Sequence, residues 1–186
     1  MAIKFTDATP ALQLEPLPVA EVAEVAEVDA ADAPTAATRG DVDVWIDREV
    51  ERQVLTHLRL QDVEQGGLLV GRPFGDPSTG LLAHVRITGC APADDAQGTA
   101  FSLRMGSQVW QAAQALLAPG DLIVGWYHSH PGLSAFFSDT DRQTQRAFFS
   151  NPYSVGWVID PTDGEEALFL GGDCRPVQRG PDRSAG

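Results

Sequence analysis

A chain of 186 residues in which 26 acidic side chains outnumber 13 Lys and Arg carries a formal charge of -13. That excess repels phosphate backbones, and no basic cluster offsets it, so nucleic-acid binding is excluded. No run is long and apolar enough to span a bilayer, so no membrane contact is expected, and the N-terminus lacks the basic start and apolar stretch of a secretory signal.

Residues 1–41 are rich in Ala, Pro, Glu and Asp and include the tandem triplet from Ala20 to Val28. A period of three drifts around a helix of about 3.6 residues per turn, so its valines form no stable stripe. With few aromatics and much negative charge, this stretch reads as a disordered acidic leader. The folded part is expected over 42–178. It opens with a short alternating strand at Asp41 to Asp47, followed by an amphipathic helix from Arg48 to Leu60 that carries His57. Leu68 to Val70 reads as a buried strand. The Gly75 to Gly80 turn folds the next strand, Leu81 to Thr88, back on it as a hairpin. His57 and His84 each stand alone: His57 reads as a surface or satisfied core residue and His84 as structural or exposed, neither as a ligand. Cys90 and Cys174 belong to no C-x-x-C pair and read most simply as free thiols of a reducing cytosol, with a single disulfide as the alternative, which makes the expected location cytoplasmic.

A loop spans Ala91 to Gly98, and a helix is predicted from Met105 to Leu117, stopped by Pro119-Gly120. Asp121 to Tyr127 is a β-branched and aromatic run that reads as a strand. It enters His128-Ser129-His130-Pro131, and side chains on a strand alternate faces, so the two imidazoles point the same way. A helix from about Asp139 to Phe149 follows, then a buried strand at Tyr153 to Pro161, then a hairpin partner at Glu166 to Leu170. Arg179 to Gly186 reads as a frayed tail. Alternating helices and strands predict an α/β fold with a mixed sheet.

Ser138-Asp139-Thr140-Asp141 has the spacing of a capping box, and alone it signals no more than a helix start. Two same-facing histidines a short loop away change its meaning. His128, His130 and Asp141 supply three corners of a tetrahedral zinc site whose open fourth corner is the mark of catalytic rather than structural zinc.

The H-x-H-P, six residues, S-x-x-D pattern resembles the JAMM signature (MPN-plus, also called JAB1/MPN/Mov34). Glu64-Gln65-Gly66-Gly67-Leu68-Leu69-Val70-Gly71 is similar to that family's E-x-x-G-x-L-x-G segment, and Trp157 to Pro161 resembles its later core strand. The resemblance implies a mixed, curved sheet flanked by helices, with an architecture like that of the cytidine deaminases. It also implies one zinc ion on His128, His130 and Asp141 with a catalytic water, Glu64 as general base and acid, and Ser138 as oxyanion donor. It further implies a ubiquitin-like protein or its conjugate as substrate, hydrolysed after its C-terminus in deconjugation or precursor processing. Some prokaryotic relatives accompany ubiquitin-like conjugation systems in phage defence. Pairing with another MPN domain, or self association, is a further expectation. Leu133, Phe136 and Phe137 make the motif loop apolar: they either pack beneath it or form a rim that contacts a protein substrate. Gly66 to Gly71 is expected to lay an edge strand beside the site, open to an extended substrate tail. Two alternatives stand beside the enzyme: a non-catalytic MPN-type binding scaffold, which usually lacks the ligands present here, and a RadC-like protein, against which Ser129 and the Glu64 segment argue.

Overall fold

The computed structural model describes residues 42–180 except 77 and 94–105. The acidic leader, most of the loop after Ala91 and the last six residues therefore lie outside the described residues. Seven strands and three helices follow in the order β1 (Asp43–Ile46), α1 (Arg48–Leu58), β2 (Gly66–Gly75), β3 (Leu82–Pro92), α2 (Ser107–Ala115), β4 (Leu122–Ser129), α3 (Asp139–Phe148), β5 (Val155–Ile159), β6 (Glu166–Leu170) and β7 (Arg175–Arg179).

The strands form one mixed sheet in the order β1-β3-β2-β4-β5-β6-β7, curled until β7 meets β1. β4 and β5 run parallel, while β2 pairs antiparallel with both β3 and β4. Each face of the sheet has its own core. The inner face packs Val44, Ile87, Leu69, Tyr127 and Trp157 with Val50, Val54 and Leu58 of α1. The outer face packs Leu68, Val70, Trp126, Val158 and Phe169 with Val109 and Ala113 of α2 and with Phe137 and Phe149 around α3. In β5 the two faces alternate with period two, as the pleat requires: Val155, Trp157 and Ile159 go inward and Val158 outward.

β4 breaks that alternation once. Its pairing with β2 slips between Leu69 and Val70, so Val124 has no partner there. Val124 and Tyr127 both face inward as a result, and Trp126 faces outward. The Trp126 ring stacks on His128 at 4.5 Å. Gly125, beside the slip, lets β4 approach β5: a Cβ there would stand 1.9 Å from the Val155 carbonyl oxygen.

Three expectations are corrected. β2 is not an edge, because β3 and β4 occupy both of its sides along Gly67 to Gly71, and no peptide can add to it there. Arg179 does not begin a frayed tail. It ends β7, pairs with Val44 of β1, and binds Glu51 and Glu166. The Gly180 N–H continues the ladder to the Val44 carbonyl. β3 runs four residues past Thr88, because Leu68 and Gly67 of β2 supply partners as far as Ala91 and Pro92. His57 and His84 are structural: His57 Nδ1 meets the buried Tyr127 hydroxyl at 2.9 Å, and His84 is stacked between Trp45 and Phe74. Cys90 and Cys174 are free and buried. Among the described residues no helix is long and apolar enough to cross a membrane.

Candidate metal centre

His128 lies near the end of β4 and His130 one residue beyond it. The His130 N–H still donates to the Ile159 carbonyl at the end of β5, which prolongs the strand geometry through the motif and keeps both rings on one side. α3 brings Asp141 to them. Its first turn is a complete capping box: the Asp141 N–H donates to Ser138 Oγ at 3.2 Å, and the Ser138 N–H donates to Asp141 Oδ2 at 2.7 Å. The cap uses one carboxylate oxygen and leaves Oδ1 without a hydrogen-bond partner. One oxygen of the Asp141 carboxylate thus serves the cap, and the other lies 3.4 Å from His128 Nε2.

The ligand atoms converge. His128 Nε2 is 3.1 Å from His130 Nε2 and 3.4 Å from Asp141 Oδ1, and His130 Nε2 is 3.6 Å from Asp141 Oδ2. Zinc bonds of about 2.0–2.1 Å give a tetrahedral edge of about 3.3 Å, so this spacing fits the ion. All three residues are buried, and burial of such groups without a counter-ion is costly. Burial and the neighbouring His128 push the His130 imidazole down to about 4, so it is neutral near pH 7, the form that ligates. Burial opposes ionisation of Asp141, but His128 and the donors at Ser138 outweigh it and hold the carboxyl below its usual range.

Glu64 arrives from the connection between α1 and β2. Its Oε1 lies 4.0 Å from His130 Nε2, it is 1% exposed, and neither oxygen has a hydrogen-bond partner. Burial raises its carboxyl to about 7, with Asp141 adding to the rise and His128 opposing it. The residue between the two histidines fixes this approach. Ser129 faces the other way, its Oγ accepts the Gln65 N–H at 3.0 Å, and its own N–H donates to the Gln65 carbonyl at 2.9 Å. Sequence reasoning gave Ser129 no role, although strand alternation already placed it opposite the ligands.

The motif loop divides its three apolar residues. Phe137 is buried, stacked on Phe169 at 4.0 Å, in a slot that exists because residue 156 is glycine: a Cβ there would stand 2.2 Å from the Phe137 ring. Phe137 therefore packs beneath the loop and is not part of a rim. Leu133 and Phe136 are exposed, and the Phe136 ring lies 5.0 Å from that of His130. Asp160, a position that sequence reasoning passed over, pins the loop from below. It accepts the N–H groups of Gly132 (3.0 Å), Ser134 (2.9 Å) and Thr162 (2.9 Å). Gly132 and Ser134 both have left-handed backbones, which the clamp holds in place. Gln145 braces α3 in a similar way, accepting from Trp126 Nε1 at 2.6 Å and donating to the Ser154 carbonyl at 2.9 Å.

Comparison with known proteins agrees with this geometry. The family described as prokaryotic homologs of the JAB domain matches residues 47–168. NAD(+) hydrolase TcpA of Theionarchaea archaeon (strain DG-70-1) is 37% identical over 101 residues, 54% of this chain and 28% of that protein. COP9 signalosome complex subunit 5 of Kluyveromyces lactis is 34% identical over 104 residues, 54% of this chain and 26% of that one. Ubiquitin carboxyl-terminal hydrolase RPN11 of Saccharomyces cerevisiae is 39% identical over 69 residues, 34% of this chain and 22% of that protein. The chain thus spans about a quarter of the length of the curated relatives it matches. The solution structure of protein DSY2949 from Desulfitobacterium hafniense shares the fold, with a TM-score of 0.53 and 19% identity, over 76% of this chain and 94% of that one. With the match running from before Glu64 to beyond Asp141, the chain belongs to the prokaryotic JAB-domain family, among the JAMM/MPN-plus proteins.

Proposed function

We propose that the chain is a cytoplasmic zinc-dependent peptidase or isopeptidase that hydrolyses the amide bond after the C-terminus of a ubiquitin-like protein. The observation that carries this reading is the unpartnered, buried Glu64 carboxylate beside three converging ligand atoms. A closed structural zinc site has no use for such a group. His128, His130 and Asp141 would hold the ion through Nε2, Nε2 and Oδ1. Bound there, zinc supplies Lewis acidity and lowers the pKa of a coordinated water to about 7.

The chain's own groups support the remaining steps. Glu64, raised to about 7, is matched to taking a proton near neutral pH and returning it to a departing amine. Ser138 Oγ serves the cap as an acceptor, so its O–H proton remains available to an oxygen on which charge develops. Leu133 and Phe136 flank the site as an apolar shelf for substrate. The relative named a ubiquitin carboxyl-terminal hydrolase points to the same substrate class. That match covers 22% of RPN11 and the NAD(+) hydrolase match 28% of TcpA, so neither carries the whole protein's activity to this chain, and the reading rests on the residues of the site.

The test is cleavage of a panel of ubiquitin-like proteins carrying a C-terminal extension or a lysine-linked peptide. Parent, Glu64→Ala and chelator-treated protein are run together. Cleavage by the parent alone is expected. Stoichiometric zinc with normal binding of a panel member and no cleavage sinks the enzyme and favours a binding scaffold.

A further inference from the structure

Glu64 forms a wall of two neighbourhoods. One is the metal centre. The other is a cleft lined further by His57, Leu60, Gln61, Val63, Gln65 and Ala93. No ligand residue and no residue of the 131–138 loop borders this cleft, so it approaches Glu64 from a separate direction.

Its chemistry is specific. Among the described residues it is lined by no carboxylate apart from Glu64 and by no Lys or Arg, a lining that suits neither an anion nor a second metal ion. Leu60 stands 68% exposed at its rim and Val63 is half-buried, which gives it an apolar wall. Gln65 is 8% exposed and its Oε1 has no partner. The backbone of Gln65 is tied on both sides to Ser129, which fixes the point from which its side chain extends. A buried amide oxygen left unpaired in a native fold calls for an explanation, and a ligand N–H is one.

We propose that this cleft is the leaving-group subsite, taking the aliphatic stem of a substrate lysine along Leu60 and Val63 while Gln65 Oε1 accepts an N–H from the substrate beside the scissile bond. The inference rests on amide hydrolysis at the adjacent centre. In that reaction the oxygen of water adds to the carbonyl carbon and the C–N bond breaks. Glu64 passes the water's two protons in turn to the departing nitrogen, leaving a carboxylate and an alkylammonium ion, with no redox change. The carboxyl that protonates the amine lines this cleft, so the amine side of the bond belongs here and the acyl side lies toward Phe136.

Two measurements on the zinc-loaded full chain test it. In the first, Nα-acetyl-lysine methylamide is titrated against the side-chain amide resonance of Gln65, with the norleucine analogue as control. A saturable shift with the lysine compound alone is expected, and no shift at 10-fold above millimolar levels overturns the subsite. In the second, ubiquitin joined to a peptide lysine is cleaved by the parent and by Gln65→Leu, which keeps the size and removes the acceptor. About a tenfold rise in KM with kcat within about twofold is expected, as for one lost ground-state hydrogen bond. The free lysine peptide should then inhibit the variant about tenfold less well, while the acyl product inhibits both alike. Weakened inhibition by the acyl product instead overturns the orientation. If no ubiquitin conjugate is cleaved, the proposed activity fails and the titration still decides the subsite.

Discussion

The two faces of the sheet solve different problems. The inner face is an apolar core in which buried polar groups such as His57 and Tyr127 are paired with one another. The outer face also buries aromatic rings, yet beside them lie His128, His130, Asp141 and Glu64, buried and incompletely paired. The first face spends its burial on stability. The second gives up part of that gain to hold polar groups left without hydrogen-bond partners within the fold. The two faces are separated by single strands, so adjacent residues such as Ser129 and His130 serve opposite purposes.

The largest effect expected from this contrast is chemical. Glu64→Gln keeps the shape and removes the proton carrier, so turnover should fall about 10²–10⁴-fold with zinc content unchanged. Loss of zinc in that variant, measured by metal analysis, would make Glu64 a ligand and break the distinction. The next test pairs one substitution on each face. Ile87→Ala in the inner core should cost about 3 kcal/mol in denaturant unfolding and leave zinc affinity as it is. Gly156→Ala forces a methyl into the Phe137 slot; it should cost about 2 kcal/mol and also weaken zinc, because Phe137 and Asp141 share one turn of chain. Equal zinc affinities in the two variants would mean that the faces are not separable.

Titration of the metal-free protein sharpens the cost of the outer face. The Glu64 carboxyl is raised from 4.5 to about 7 in the fold, chiefly by burial. An acid raised in this way favours the folded state below the unfolded value, and that advantage is lost as the pH rises through the folded value. Relative to a Glu64→Gln variant, metal-free parent should therefore lose about 3 kcal/mol between pH 4.5 and 7, with a plateau above. Parallel stability curves for the two would show that Glu64 bears no such cost. The smallest effect concerns Asp160. Burial opposes its ionisation, but the Gly132, Thr162 and Ser134 donors bring it down from 3.8 to about 2. Its stabilisation is complete above pH 3.8 and disappears as the pH falls through 2. Asp160→Asn should flatten the acid limb of the stability curve between pH 3.8 and 2, read by denaturant unfolding.

The convergence of His128, His130 and Asp141 was legible in the sequence because it follows from two local periods. A strand alternates every second residue, which joins His128 to His130, and a capping box fixes Asp141 in the first turn of α3. Glu64 carries no comparable local mark. Nothing near it in sequence distinguishes a buried acid from a solvated one, and only the resemblance singled it out. Phe137 was undecidable for a similar reason: its slot is made by Gly156, which lies in a strand that the local pattern around Phe137 does not reveal. The supposed free edge of β2 failed because strand order is set by distant pairing. The same is true of β7, whose place is fixed by β1 at the opposite end of the chain. Ser129, Gln65 and Asp160 act through backbone groups of other segments, and residue type alone gave no reason to choose them.

The pairing of β2 with β4 has a consequence in time as well as in space. His128, His130 and Asp141 lie within one short stretch, so their meeting closes only a small loop, whereas Glu64 reaches them through contacts between widely separated segments. A newly made chain can therefore bring His128, His130 and Asp141 together before Glu64 joins them. Under the proposed function, a molecule in which β2 has not yet paired with β4 would hold metal without being able to hydrolyse an amide.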